Sequence, residues 1–450
     1  MRYAIGLLIF AAGSLSFGED AKTSEEAATP AIVQKKPLLQ LPSEMANTGL
    51  PRWIRIGLEH RFRFENYTAL RCNEGNDDHW MLSRLRATMT ITPTAWWSFT
   101  FQGQDSRIFL KANPAGTAPF SNHTDMRMAY TDLGNVSEGK FGIRVGRQEL
   151  NYGEGLLVGP ANWGNVSRSF DAVRMVTRRG PVQLDLFAAS VVVPQWSGLS
   201  HHVQGNNLHG AYLTWNKFLI PTATLEPYFL WRVGSGRGDV AGGTGKADRR
   251  VSGVRFVGKL PGGYDYTTET VLEAGHVANS SVSAYAIHLI GGKTFSKHKG
   301  KPRVFGMYNY ASGDRTPGDG RSETFDQVYA AAHDKNGLAD QIGWQNLEEV
   351  SGGVEVTPWR RILLKVQAHD WKLAEARDGV YLANGNLIFR DLSGKSGTHI
   401  GNELDFVATY QVGARYVGAG YGRIFAGEFL QHQSKGTQLN YVYLNVGYKF

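Results

Sequence analysis

One cysteine, Cys72, stands in 450 residues. A lone cysteine excludes an internal disulfide framework and any metal cluster of the cysteine type. It falls within a predicted loop and not just after an apolar signal core, so it is no lipoprotein acceptor. Long apolar runs are missing as well. Beyond the N-terminus none approaches the roughly 20 residues that a spanning helix needs, and the mean hydropathy is −0.30. Helical membrane proteins are thereby excluded. A strand-built one is not, because only alternate residues of a barrel strand meet lipid. Catalytic signatures are absent too: there is no Gly-x-Ser-x-Gly, no Walker A and no HExxH, and no Ser/His or Asn/His/Ser group gathers, so an enzyme is not expected. Acidic residues are in deficit, 40 against 48 Lys and Arg, a net charge of +8. Such a balance serves solubility or an anionic partner. Nucleic acid fits poorly, because the arginines are spread along strand patterns and not gathered in a basic helix or arm.

What is abundant is Gly (54), Tyr (19) and Trp (11), as tight turns and interfacial aromatic girdles require. Residues 1–18 read as a secretory signal: Arg2 supplies the charge, Ala4 to Ala12 the apolar core, and Ser16 and Gly18 the small residues before cleavage. Residues 19–50 are polar and rich in Ala, Glu, Lys and Pro without sustained period, and are expected to form a flexible periplasmic leader. The remainder, 51–450, reads as one unit of alternating strands.

That alternation is plain in Arg52–Glu65. Ile54, Ile56, Leu58, Phe62 and Phe64 share one face, and Arg55, Glu59, Arg61, Arg63 and Glu65 the other. An Arg at a barrel's lipid midplane costs about 2–4 kcal/mol, so a face with three of them should look into a lumen. In a soluble sheet the same face would simply be solvated. Leu82–Thr92 repeats the theme with Arg84 and Arg86, and similar segments follow to the end of the chain, about 18 by this reading. Connections alternate between short (Pro93–Ala95, Arg179–Pro181, Pro261–Gly263, Pro358–Arg360, Val412–Gly413) and long (Ala69–His79, Asn151–Val166, Pro194–Asn207, Gly313–Trp344, Ala374–His399). The pattern predicts an all-β fold: a transmembrane antiparallel β-barrel, monomeric, with both termini periplasmic. Bulges near Gly103 and Gly146 would invert the faces beyond them.

The last segment, Thr437–Phe450, carries Val442, Leu444, Val446, Tyr448 and Phe450 on one face and ends on an aromatic residue. It resembles the closing strand of Gram-negative outer-membrane barrels, in which a terminal aromatic is part of the assembly signal. The resemblance implies an outer-membrane location and, as partners, the barrel assembly machinery, outer-membrane lipid and lipopolysaccharide.

Two further stretches are more specific. Gly146–Met175 contains GRQEL, Val158-Gly-Pro with Trp163, and Ser167-Arg-Ser-Phe-Asp171. Asn309–Tyr410 contains NYASGDRTPGDGRSETFD, GLADQIGWQNL and SGTHIGNELDFVATY. Their order and spacing resemble the bacterial alginate export family of outer-membrane porins, over about Arg52 to Phe450. The resemblance implies a barrel with a narrow electropositive conduit for an acidic polysaccharide. At matching positions it offers Arg61, Arg63, Arg84, Arg86, Arg144, Arg147, Arg168 and Arg174 as lumenal selectivity residues, with Asp171 and Glu149 as counter-charges. Guanidinium groups bind carboxylates bidentately and keep their charge. Each of these arginines equally suits a wall-bracing salt bridge. The founding member has a long periplasmic turn under the pore. The matching connection here, Gln411–Gly413, is short, so that plug is expected to be absent, and the pore is either gated by the outer loop Asn151–Val166 or not gated.

The leading reading is therefore a passive exporter of an anionic, alginate-like polysaccharide, with periplasmic export partners possible. The alternative is a general or uptake porin for small anionic solutes or oligosaccharides, and a third reading is a sealed structural barrel or adhesin. No cofactor is expected. Asp314–Gly320 has a superficial likeness to a Ca²⁺ loop but lacks the alternating ligands and bidentate Glu. His201, His202 and His209 form no ligand spacing beyond chance. Glu269 and Glu273 share one strand face, and lumen-lining acids account for them as well as acid–base work does.

Overall fold

The computed structural model describes residues 47–450, apart from 112–119, 137, 139, 197, 239–242 and 383. The signal segment and most of the leader lie outside the described residues. The strands run Ile54–Thr68 (β1), Asp78–Thr94 (β2), Trp97–Phe109 (β3), Asn122–Gly134 (β4), Phe141–Gln148 (β5) and Phe170–Arg179 (β6). Then come Val182–Val193 (β7), His201–Asn216 (β8), Ala223–Arg237 (β9), Thr244–Leu260 (β10), Tyr264–Val277 (β11) and Ser280–Thr294 (β12). The last are Arg303–Ala311 (β13), Leu347–Trp359 (β14), Ile362–Leu373 (β15), His399–Val412 (β16), Arg415–Ala426 (β17) and Leu439–Lys449 (β18). Each pairs antiparallel with its neighbours in sequence, and β1 closes on β18 from Glu59↔Lys449 to Thr68↔Asn440. The result is a closed barrel of 18 strands. Closure removes the sheet edges that would otherwise leave backbone groups unpaired in lipid.

The alternation sorts the side chains as the lipid cost demands. Phe62, Leu85, Phe101, Val350 and Leu444 are exposed on the outer face, while Arg61, Arg63 and Arg84 are buried inside, at 4%, 2% and 0%. Trp53, Trp96, Trp97, Trp215 and Trp359 are exposed beside the short turns, forming the girdle at that end. Large inward rings find room over glycines of the facing strand. A Cβ on Gly253 would lie 2.2 Å from the Tyr228 ring, its cross-strand partner.

The interior is two-sided. In the half nearest the short turns it is polar: Gln102 donates to Thr88 at 2.7 Å, and Arg303 to Asp265 at 2.9 Å. In the half nearest the long loops it is apolar, one cluster that includes Phe170, Leu208, Leu230, Phe325, Trp344 and Trp371. Strand walls supply part of this cluster and inward-folded loops the rest.

Three boundaries differ from the alternation reading. β8 begins at His201, because a bulge between Ser190 and Val192 lets Val193 and Val192 pair with His201 and His202. The histidines expected in a loop are thus strand residues. β5 stops at Gln148 and β6 starts at Phe170, so Glu149 and Arg168 belong to the connection between them. The expected bulge at Gly103 is present as a register shift between Gln102 and Gly103.

A candidate lumenal constriction

The β5–β6 connection, residues 149–169, folds into the barrel instead of away from it. Its segment Asn162–Ser167 lies against the wall made by β1–β3. Arg61 donates to the carbonyl oxygens of Asn162 (2.9 Å), Trp163 (3.1 Å) and Gly164 (3.2 Å). Arg63 donates to Trp163 O at 2.6 Å, and Arg84 to Asn162 O at 2.7 Å. Arg86 donates to Ser167 Oγ at 2.5 Å. Asn165, 1% exposed, is sewn in by its side-chain amide, which donates to the carbonyls of Ser83, Arg107 and Phe120. Ala161 (φ 51°) and Ser167 (φ 66°) flank the segment in left-handed conformations that non-glycine residues adopt at a cost.

The long connection after β13 also turns inward and meets the first loop. Tyr329 N donates to Leu157 O (2.8 Å), Gly159 N to Tyr329 O (3.0 Å) and Ala331 N to Gly155 O (2.8 Å). The first two bonds form an isolated parallel bridge between Val158 and Tyr329, and the third ties Ala331 to Gly155. Arg168 caps the junction, donating to Gly159 O, Tyr329 O and Ala330 O at 2.9, 2.5 and 2.9 Å. Burial pulls its guanidinium down to about 10, with the Tyr329 hydroxyl opposing, so it remains charged at neutral pH. The loops are anchored to the opposite wall as well. Arg232 holds Asp326 with 3.0 and 2.9 Å bonds, and Arg255 reaches Glu154 at 3.1 Å. Leu338 N and Ala339 N donate to Asp405 and Glu403, at 3.1 and 2.8 Å. A cavity of about 10 Å³ beside Tyr152, Leu157, Tyr212 and Tyr228 has room for no more than a water molecule.

The expected selectivity residues fall into three groups. Arg61, Arg63, Arg84 and Arg86 surround Asn162–Ser167, and Glu59 and Glu65 lie among them, with Arg63 Nε 2.5 Å from Glu65. Glu149 pairs with Arg127 at the edge of the same group. Arg144 and Arg174 line the polar half of the lumen, paired with Asp132 and Asp185, and Arg144 also lies 3.9 Å over the Tyr130 ring. Arg147 and Asp171 are the correction. They bind each other (2.8 and 3.1 Å) on the strand face shared with the exposed Val145 and Val173, so they turn away from the lumen near the long-loop rim. Strict alternation from Arg144 already separates Arg147 from the lumen face.

Arg127, Tyr329 and Asp326 are not legible as site residues, whereas Trp163 lies in the Asn151–Val166 connection that the sequence already singles out. Arg127 follows the β3–β4 register shift, which turns it inward against the parity of Tyr130 and Asp132. The others lie on loops, which have no period to read. Elsewhere, Asp314 and Asp319 accept backbone N–H bonds from Thr316 and Arg321, ordinary turn contacts, and Glu269 and Glu273 are engaged by Tyr228 (2.6 Å) and Arg249 (2.8 Å).

A family profile described as alginate export matches residues 52–444. No curated protein matches the sequence. Among solved structures, Pseudomonas aeruginosa OpdK with vanillate aligns at TM-score 0.60 and 12% identity, over 88% of this chain and 98% of that one. Acinetobacter baumannii OccAB2 aligns at 0.61 and 10%, over 88% and 98%. Pseudomonas aeruginosa OccD3 aligns at 0.58 and 13%, over 90% and 92%.

Proposed function

The chain belongs to the alginate export family and is a multi-pass outer-membrane channel, not an enzyme, and from that premise we propose that it passes an anionic polysaccharide outward through the lumen. One observation carries this reading. Around Asn162–Ser167 the guanidiniums of Arg61, Arg63, Arg84, Arg86 and Arg127 outnumber the carboxylates of Glu59, Glu65 and Glu149. A wall with surplus fixed positive charge, under low-dielectric conditions, attracts a polymer bearing one carboxylate per sugar. The interspersed acids keep each contact weak enough for the chain to advance, as conduction requires. The paired arginines of the polar half, Arg144 and Arg174, would receive the polymer before it meets the constriction.

A second reading is uptake of small anions. It is favoured by the inward loops, which occupy the apolar half of the lumen and suit a narrow cargo, and by the small carboxylate named with OpdK. Planar-bilayer recording of the refolded protein separates the two. Under a KCl gradient the reversal potential should report anion selectivity, and polymannuronate on one side should block the current. Large unselective current untouched by the polymer would overturn polysaccharide passage. Selective current blocked only by small carboxylates would favour uptake.

A further inference from the structure

The group bound by Arg61 in this structure is part of the protein itself. Its bonds run to three peptide carbonyls, Asn162, Trp163 and Gly164, and its Nε, buried with the rest of the side chain, has no hydrogen-bond partner among the described residues. Arg63 and Arg84 add bonds to the same three carbonyls. Three neutral oxygens thus stand where the oxygens of a carboxylate would stand among the guanidiniums. A carboxylate is the stronger acceptor for guanidinium, by roughly twofold in bond strength. The segment is also held under backbone strain, between left-handed Ala161 and Ser167.

We propose that Asn162–Gly164 is a built-in surrogate for the cargo: its carbonyls close a guanidinium site, and a carboxylated oligosaccharide opens the channel by displacing them. This rests on the anion-channel reading above and adds its regulation. The second loop moves with the first, because the Val158–Tyr329 bridge, the Ala331–Gly155 bond and the Arg168 cap join the two into one gate. Neutral sugars have no acceptor that competes with a peptide carbonyl for Arg61, so they leave the gate closed.

The probe is a short oligogalacturonate in single-channel recordings, with a maltooligosaccharide of equal length as the neutral control. The oligouronate should raise open probability several-fold, and the maltooligosaccharide should not. Arg61→Gln should open the channel without the anion and abolish the response. A cross-link between the two loops tests their coupled movement independently. An added Cβ on Gly159 would lie 2.7 Å from the Ala331 Cβ, and a shift of about an ångström reaches disulfide separation. The oxidised Gly159→Cys/Ala331→Cys protein should open with oligouronate as the reduced form does, because the two loops move as one; native Cys72 is buried. Equal open probability with either sugar, or an oxidised cross-link that holds the channel closed in oligouronate while the reduced form opens, overturns the proposal. Loss of anion selectivity in the reduced channel would instead count against the anion-channel reading, so the two failures are distinguishable.

Discussion

Trp163 and His333 lie face to face, their ring centroids 3.7 Å apart and their planes within 1°. They come from the two inward loops, and the Arg63 guanidinium covers the other face of Trp163 at 3.8 Å. The stack therefore ties both loops to β1. Wall, first loop and second loop form one layered contact, cation on indole on imidazole, with His333 Nδ1 2.8 Å from Asp340.

Trp163→Ala should loosen this contact without disturbing the barrel. The expected loss is about 1–3 kcal/mol, below the roughly 3–5 for a fully buried Trp, because Trp163 is only half-buried. Single-channel traces should show larger or more frequent openings, and the barrel's own thermal transition should move little.

Arg84 is the most buried cation of the constriction, paired with Glu59. Arg84→Met alone should destabilise by about 3–5 kcal/mol, because it strips a buried carboxylate of its nearest partner. Arg84→Met with Glu59→Met should recover much of that loss. Urea unfolding in detergent measures both; equal loss in the single and double variants would contradict the pairing.

Charge reversal at Arg84 and Arg86 should weaken anion selectivity. With glutamate at both positions the reversal potential should shift toward cations by an amount that shrinks at high salt. An unchanged potential would remove these two residues from the selectivity region and leave them a bracing role.

Asp326 should make the second loop acid-sensitive. Burial pushes its carboxyl up, but Arg232 and Arg249 outweigh burial and hold it below the usual carboxylate range. A depressed folded value stabilises above the unfolded value, about 3.9 for Asp, and that stability is lost as pH falls through the folded value. Proteolysis within residues 313–346 should therefore accelerate below about pH 4. Asp326→Asn should be cut faster at neutral pH and show a shallower acid dependence.

Gly253→Ala should displace Tyr228, whose ring occupies the space a Cβ would take and whose hydroxyl donates to Glu269 at 2.6 Å. Overpacking of this kind costs about 1–3 kcal/mol. Gly253→Ala combined with Tyr228→Leu should be less destabilised than Gly253→Ala alone, as read by thermal unfolding.

The barrel is legible in local sequence pattern. Period two along Arg52–Glu65 and Leu82–Thr92 puts arginines on one face, and lipid makes that face the lumen. The alternation of short and long connections fixes the hairpin order. These are local properties, and a strand's alternation is local physics. What fills the lumen depends on contacts between distant parts of the chain. Arg61 meets Trp163 across 102 residues, and nothing in the period of β1 specifies that its partner will be a peptide carbonyl instead of a sugar carboxylate. The same holds for Arg127, turned inward by one register shift. Arg147 and Asp171 are the converse, since alternation alone places them outward although their charges suggest the lumen. Loop conformation depends on contacts with walls distant in sequence. The gate therefore exists only once the barrel has closed around it.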